Sequence, residues 1–282
     1  MSHIDHDPHD DRDDDLREVP SAAPTLPPSL EPRLAGREWH RNLVGAAGAQ
    51  VYRLHRPGSP DLYLKQGDGE TSTAIADEFA RLNWLAGRWP VPAVEHFEWR
   101  GGSAWLLTHA QPGRTAYEWL QDDPDRAPAI VAALGRCLRQ LHELPIDACP
   151  FNANHRLQLA LARQRLEAGL IDPSDFDDAR QGWTAQQVWS ALTGLLPLAE
   201  DPVLCHGDFS LDNILMNEHG EVTGIIDLGR AGVADRHHDL AILSNNLDEF
   251  GPELQQVLFT AYGLDAPDAR KLEFHLLLDE CF

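Results

Sequence analysis

The run His206-Gly207-Asp208-Phe209-Ser210-Leu211-Asp212-Asn213, followed by Ile226-Asp227-Leu228-Gly229, constrains this chain more than any other part of it. Between the two, Ile214-Leu215-Met216 reads as a strand, Glu218-His219-Gly220 as a turn and Val222 to Ile226 as a second strand. The pattern predicts a hairpin whose open end carries Asp208 and Asn213 before the first strand and Asp227 after the second. A bare His-Gly-Asp is compatible with a loop that caps its own backbone, but the in-register continuation through Asn213 and Asp227 is not explained that way.

Two carboxylates and an amide at this spacing suit phosphoryl transfer. One carboxylate faces the attacking hydroxyl as general base, here Asp208, while Asn213 and Asp227 hold the Mg2+ that bridges nucleotide phosphates. Protein kinases use the same order, with the metal-binding Asp opening an Asp-x-Gly turn.

Such a site also needs a cation on the phosphates. The chain has only two lysines among 23 basic residues, and one of them, Lys65, ends the strand-like Leu62-Tyr63-Leu64. A compact ammonium kept where arginine is otherwise preferred points to a role on the ATP phosphates. Glu78 follows 13 residues later, in a segment Thr73 to Gly87 with apolar residues at helical intervals and Thr71, Ser72 or Thr73 available as a cap, so it is placed to pair with Lys65. Upstream, Gly45-Ala46-Ala47-Gly48-Ala49-Gln50 takes the place of a phosphate-covering loop. It is not a full Gly-x-Gly-x-x-Gly, and no P-loop sequence occurs, so neither a Rossmann cofactor site nor a P-loop is supported.

Residues 1–32, rich in Asp, His and Pro without apolar periodicity, read as a disordered acidic tail. Its His3, His6 and His9 have no fixed partner ligands for a metal. Candidate strands near 50–56, 61–66, 94–99 and 103–108 surround the helix containing Glu78, giving a nucleotide-binding N-lobe over residues 33–109. Beyond a linker at Ala110-Gln111-Pro112-Gly113, residues 110–282 form the C-lobe, with helices expected from Ile130 to Leu144, His155 to Gly169, Asp235 to Asn246, Pro252 to Tyr262 and Asp268 to Cys281. The fold class is therefore α+β: a two-lobed protein-kinase-like fold, β-rich then mainly helical, with nucleotide in the cleft. Cys137, Cys149, Cys205 and Cys281 are too scattered for a zinc or disulfide framework, and no run is apolar enough for a membrane span. A cytoplasmic protein with no membrane partner, a monomer or weak homo-oligomer, is expected.

The acceptor is read from what is missing and from charge. No Ala-Pro-Glu segment follows Asp227-Leu228-Gly229, so there is no platform for a peptide and a small molecule is expected. A formal net charge of −22 disfavours nucleic acid and favours a cationic acceptor. Asp172, Asp175, Asp177 and Asp178 crowd one short stretch, and the chain ends in Asp279-Glu280-Cys281-Phe282. Charge runs are usually solvated surface; beside a phosphotransfer motif they suggest a grip for a polyamine.

The chain resembles the aminoglycoside 3′-phosphotransferases, particularly the type I kanamycin and neomycin kinases, on stretches that include Val51-Tyr52-Arg53-Leu54, Leu62-Tyr63-Leu64-Lys65, Cys149-Pro150-Phe151-Asn152, Ser174-Asp175-Phe176-Asp177-Asp178, HGDFSLDN and Phe274-His275-Leu276-Leu277-Leu278-Asp279-Glu280. The resemblance implies transfer of the ATP γ-phosphoryl group to a 3′-hydroxyl, and hence antibiotic resistance. It implies drug contacts at Asp175, Asp178, Glu280 and the Phe282 carboxylate, with Asp177 beside them and Arg230 near the catalytic carboxylates. It also implies purine contacts with the backbone of His109 and Gln111. Two departures stand out: Ala47 replaces a common Ser, and Asn245-Asn246 stand where some relatives carry charged contacts. A kinase of choline or a sugar in the same fold, or a nucleotide-binding pseudokinase, are the alternatives.

Overall fold

The computed structural model describes residues 17–43 and 48–282. The Gly45-Ala46-Ala47 part of the candidate phosphate-covering loop and the histidines of the N-terminal stretch lie outside the described residues. Contacts divide the chain into two compact units, the first running to Phe79 and including Ala93–Ala110, the second comprising Ala80–Pro92 and Gln111–Phe282. Residues 80–92 thus group with the second unit, not with the 33–109 lobe expected from sequence.

The first unit is an antiparallel sheet, in the order β1-β2-β3-β4-β6-β5. Its strands are β1 (Glu18–Ser21), β2 (Glu38–Asn42), β3 (Gln50–His55), β4 (Leu62–Asp68), β5 (Val94–Arg100) and β6 (Ser103–His109), with a short α1 (Glu31–Leu34) and the longer α2 (Glu70–Leu85), whose residues from Ala80 onward group with the second unit, between them in sequence. Alternation along β3 and β4 sends Tyr52, Leu54, Leu62 and Leu64 to one face, where they meet Leu30, Leu34 and Leu107 in a buried cluster. This corrects the expected tail. Glu18–Ser21 pairs with β2 from Glu18↔Asn42 to Ser21↔Trp39, and Leu30 has no exposed surface. Four residues that include Pro20 make an edge strand too short for an alternation signal to show. Helix α2 also begins earlier than its expected cap, so Thr71, Ser72 and Thr73 lie within it and Ser72 Oγ donates back to Gly69 O at 2.7 Å.

The second unit is mainly helical. It contains β7 (Arg114–Thr115), α3 (Ala116–Asp122), α4 (Ala127–His142), α5 (His155–Ala168), α6 (Ala185–Gly194), β8 (Pro202–Cys205), β9 (Ile214–Met216), β10 (Val222–Ile225), β11 (Gly232–Asp235), α7 (His237–Asn246), α8 (Glu253–Tyr262) and α9 (Ala269–Asp279). The expected hairpin is β9–β10, registered Met216↔Val222 and Ile214↔Ile225 and extended by β7. Helix α3 opens with a reciprocal capping box between Thr115 and Glu118. Helices α4 and α8 approach closely at Gly135, where an added Cβ would stand 2.8 Å from Leu258 O. The helix expected from Asp235 starts at His237 instead, and residues 232–235 form β11, which pairs with β8 from Gly232↔Cys205 to Asp235↔Pro202. All four cysteines are unpaired. Among the described residues, no helix is long and apolar enough to cross a membrane.

Candidate active site

The hairpin fixes the distance between the two halves of the motif. The Ile226 N–H donates to Asn213 O at 2.9 Å, one step beyond the Ile214↔Ile225 pair, so Asp227 leaves the second strand beside the point where Asn213 enters the first. Asn213, 9% exposed, turns its amide back: Nδ2 donates to Asp208 O and to Asp208 Oδ2, both at 3.0 Å. Asp227 sits at φ 58, in the left-handed region, which Asp tolerates better than most residues. Burial raises the Asp208 carboxyl above its usual range, and the nearby Arg230 guanidinium only partly offsets this.

The loop before Asp208 is clamped from below. His206 Nδ1 accepts the Asp208 N–H at 3.3 Å, which leaves its Nε2–H to donate to Ile226 O at 2.9 Å. Asp239 of α7, fully buried, accepts the backbone N–H of His206 at 2.7 Å and of Gly207 at 2.8 Å, one on each carboxylate oxygen. Its Oδ2 also accepts from His142 Nε2 at 3.0 Å, and His142 Nδ1 lies 2.8 Å from the Tyr262 hydroxyl, whose oxygen in turn accepts from Arg236 Nη1 at 3.2 Å. Burial alone would raise Asp239, but the hydrogen bond from His142, with the imidazoles around it, holds it down at about 2, so it works as an anion. Leu211 N–H adds a further tie, to Asn246 Oδ1 at 3.1 Å. Gly207 is required by the clamp: its φ is +86, and a Cβ would stand 2.5 Å from Arg230 O. His142, Cys205 and Asp239 present potential ligand atoms within 4.8 Å of one another, yet the His and Asp are already spent on this network.

In the first unit, Lys65 Nζ meets Glu78 Oε2 at 2.6 Å, as the spacing predicts, with both side chains largely buried. His109 donates its N–H to Ala93 O at 2.9 Å, and its ring faces Glu95 at 3.2 Å.

The acidic stretch and the chain end are brought together within the second unit. Residues 173–175 and 178–180 form short 3-10 turns, capped by the side chains of Asp172 and Asp177. Asp175 and Asp178 are exposed, and Asp177 is half-buried. The Asp177 N–H is shared between Glu280 Oε1 and Oε2, each at 3.3 Å. Burial, and then the neighbouring Asp177 carboxylate, raise Glu280 to about 7. Arg230 pairs with Asp279 at 3.2 Å and lies 5.7 Å from the Phe282 ring. The sequence reading missed Asp239, His142, Tyr262 and Arg180. The available signal for Asp239 was a carboxylate inside the apolar run His237-His238-Asp239-Leu240-Ala241-Ile242-Leu243, where only a buried partner explains a charge. Asn246 proves to be a loop anchor, whatever its place beside Asn245 among charged positions of relatives.

Residues 39–275 match the model of the phosphotransferase enzyme family, APH. An aminoglycoside 3′-phosphotransferase of Escherichia coli is 49% identical over 267 residues, covering 94% of this chain and 98% of its own. The crystal structure of an aminoglycoside-3′-phosphotransferase of type VIII superposes with a TM-score of 0.81 at 37% identity, over 90% of this chain and 97% of that one. The aminoglycoside phosphotransferase APH(3″)-Id of Streptomyces rimosus, in complex with ADP and streptomycin, gives a TM-score of 0.70 at 26% identity, over 84% and 94%.

Proposed function

The chain belongs to the phosphotransferase enzyme family, and within it we propose an ATP-dependent aminoglycoside 3′-phosphotransferase that acts on kanamycin- and neomycin-like antibiotics and so confers resistance. The observation that carries the reading is the hairpin site, in which Asp208 is held through Asn213 on a loop anchored by Asp239, in a chain whose relatives share this activity by name.

In this reading Asp208 accepts the proton of the 3′-hydroxyl and aligns its oxygen for in-line attack. Its raised affinity for a proton, caused by burial, suits a general base. The donor set of an Asn amide and an Asp carboxylate, both hard oxygen ligands, fits Mg2+. Asn213 and Asp227 would hold such an ion, which would supply positive charge to the nucleotide phosphates. Lys65, oriented by Glu78, supplies an ammonium to the ATP phosphates, and the ADP complex of the Streptomyces relative supports a nucleotide co-substrate. The purine is assigned to the backbone of His109 and Gln111; since the His109 N–H is already donated to Ala93, its carbonyl is the edge that remains. Asp175, Asp177, Asp178, Glu280 and the Phe282 carboxylate take the drug ammonium groups, with Arg230 lowering the charge density next to Asp208. Dependence on ATP supports a cytoplasmic location.

The test is mass spectrometry of kanamycin and of a 3′-deoxy analogue after incubation with the protein and Mg-ATP. Kanamycin gains one phosphoryl group and the 3′-deoxy drug gains none, because its nucleophile is missing. Stoichiometric phosphorylation of the 3′-deoxy drug defeats the regiochemistry. Phosphorylation of choline or a sugar with kanamycin untouched defeats the acceptor class.

A further inference from the structure

Arg180 is 4% exposed, takes no part in the phosphoryl-transfer machinery, and is met by three carboxylates. Nη1 reaches Asp177 Oδ2 at 2.6 Å, Nη2 reaches Glu273 Oε2 at 3.1 Å and Nε lies 3.8 Å from Glu280 Oε1. The Asp177 side chain also accepts the Arg180 N–H at 3.2 Å. A guanidinium removed from water this far is tolerated only when its partners are in place, and a planar fork holds several carboxylates at once where an ammonium does not. Beneath the fork, Phe176 from the acidic stretch packs in one buried cluster with Leu277, Leu278 and Cys281 of the chain end. Polar fork and apolar floor therefore join two segments that are 103 positions apart.

We propose that Arg180 is the positioning residue of the drug-binding acids: it locks Asp177 and Glu280 into one geometry that receives the ammonium groups of the substrate. The proposal rests on the aminoglycoside reading above. The charges around the pair are divided as follows. The turn contributes Asp177, Asp178 and Arg180; α9 and the residues that follow it contribute Glu273, Asp279 and Glu280. From α5, Arg165 donates to Cys281 O at 2.7 Å and faces the Phe282 ring, and Arg230 pairs with Asp279. Among the described residues, Arg180 is the cation within 4 Å of both Asp177 and Glu280. Glu280, 7% exposed at its side chain and raised to about 7 with Arg180 present, takes up a proton more readily still without it. Drug capture is accordingly weakened at the acid side of neutrality, and further weakened when the guanidinium is removed.

Steady-state kinetics with kanamycin and Mg-ATP, run from about pH 6 to about pH 9, separate position from charge through two variants. Arg180→Lys keeps a cation but loses the fork, so the kanamycin KM rises several-fold while the acidic limb of kcat/KM stays in place. Arg180→Met loses both, so the kanamycin KM rises at least ~10-fold, the equivalent of one decade in binding, and the limb moves to higher pH. In both, kcat and the ATP KM change less than the kanamycin KM. Either variant, folded by circular dichroism, with a wild-type kanamycin KM overturns the proposal, as does an Arg180→Met enzyme whose ATP and drug parameters fall together. If Arg180→Met does not fold, Arg180→Lys alone decides by its KM. A wild-type protein that does not phosphorylate kanamycin defeats the functional reading instead, so the two failures are distinct.

Discussion

The loop around Asp208 and the acidic chain end both gather carboxylates, but they are held in opposite ways. The loop is a contiguous stretch whose geometry is over-determined by backbone contacts: Asp239 takes two N–H groups, Asn246 takes a third, and Asn213 returns a hydrogen bond to Asp208. The chain end is assembled from side chains of distant segments, and Arg180 is the hinge pin on which Asp177 and Glu280 meet. A site that must align one hydroxyl for in-line attack needs fixed backbone. A site that collects several ammonium groups needs mainly charge and reach. The difference teaches where each is vulnerable: the loop to single buried deletions, the chain end to changes of charge state.

The strongest break comes at the base. Asp208→Asn preserves shape and the partner of Asn213 but removes the proton acceptor, so kcat falls by ~10²- to 10⁴-fold while ATP affinity holds. Turnover within a few-fold of wild type, measured by coupled ADP release, would take Asp208 out of the role. Next in size is the clamp. Asp239→Ala strands two buried N–H donors and the His142 ring, which costs about 3 kcal/mol of unfolding free energy together with most of kcat. Linkage gives the sign of the pH dependence. A carboxylate held at about 2 contributes stability that is fully present above its ordinary range and is lost as pH falls through about 2, so the variant lacks that component of acid denaturation. Urea titrations that show equal acid sensitivity in both proteins would mean that Asp239 is not the anion described.

How much of this was legible in the sequence follows the same division. Residues 206–229 announce hairpin, turn and carboxylates because strand period and loop chemistry are local, and Lys65 and Glu78 stand out because lysine is scarce and the spacing reaches the next helix. Asp239 was hidden by its helix: α7 is buried from His237 through Ser244, so no polar face marks it as amphipathic. Strand β11 was hidden because Gly232–Asp235 is short and runs straight toward that helix. Strand β1 and Leu30 were read as tail because a four-residue edge strand and an isolated leucine carry no period. Arg180 carries no local mark in the sequence; its burial depends on Phe176 and α9 meeting across a long stretch of chain, which no local pattern encodes.

The chain end gives a smaller effect on binding than the base gives on turnover. Deleting Glu280 to Phe282, or extending the chain with a neutral tag, removes a partly buried carboxylate or displaces the terminal one, and costs ~2 kcal/mol in kanamycin binding with little change for ATP. Isothermal titration with both ligands checks it. A folded, truncated enzyme with unchanged kanamycin affinity would leave Asp175 and Asp178 as the gripping acids and make the chain end a structural cap on α9.

The smallest effect discriminates most sharply between a charged grip and a neutral scaffold at Glu280. A carboxyl whose folded-state value is raised from 4.5 to about 7 contributes stability that is present while it stays protonated and is lost as pH rises through that window. In wild type, ionised Glu280 beside Asp177 is thus a strain carried at neutral pH for the sake of binding. Glu280→Gln keeps the shape, continues to accept the Asp177 N–H through its amide oxygen, and cannot ionise. Its Tm should match wild type near pH 5 and exceed it by a few °C near pH 8, the gap opening through the titration window and then levelling off. The same variant should bind kanamycin more weakly at pH 8, where the wild-type charge is fully developed. A Tm difference that is flat from pH 5 to pH 8 would mean that Glu280 is ionised throughout, already neutralised by Arg180 in the folded protein. The chain end would then resemble the loop after all, a pre-set anion site instead of one whose charge is tuned by pH.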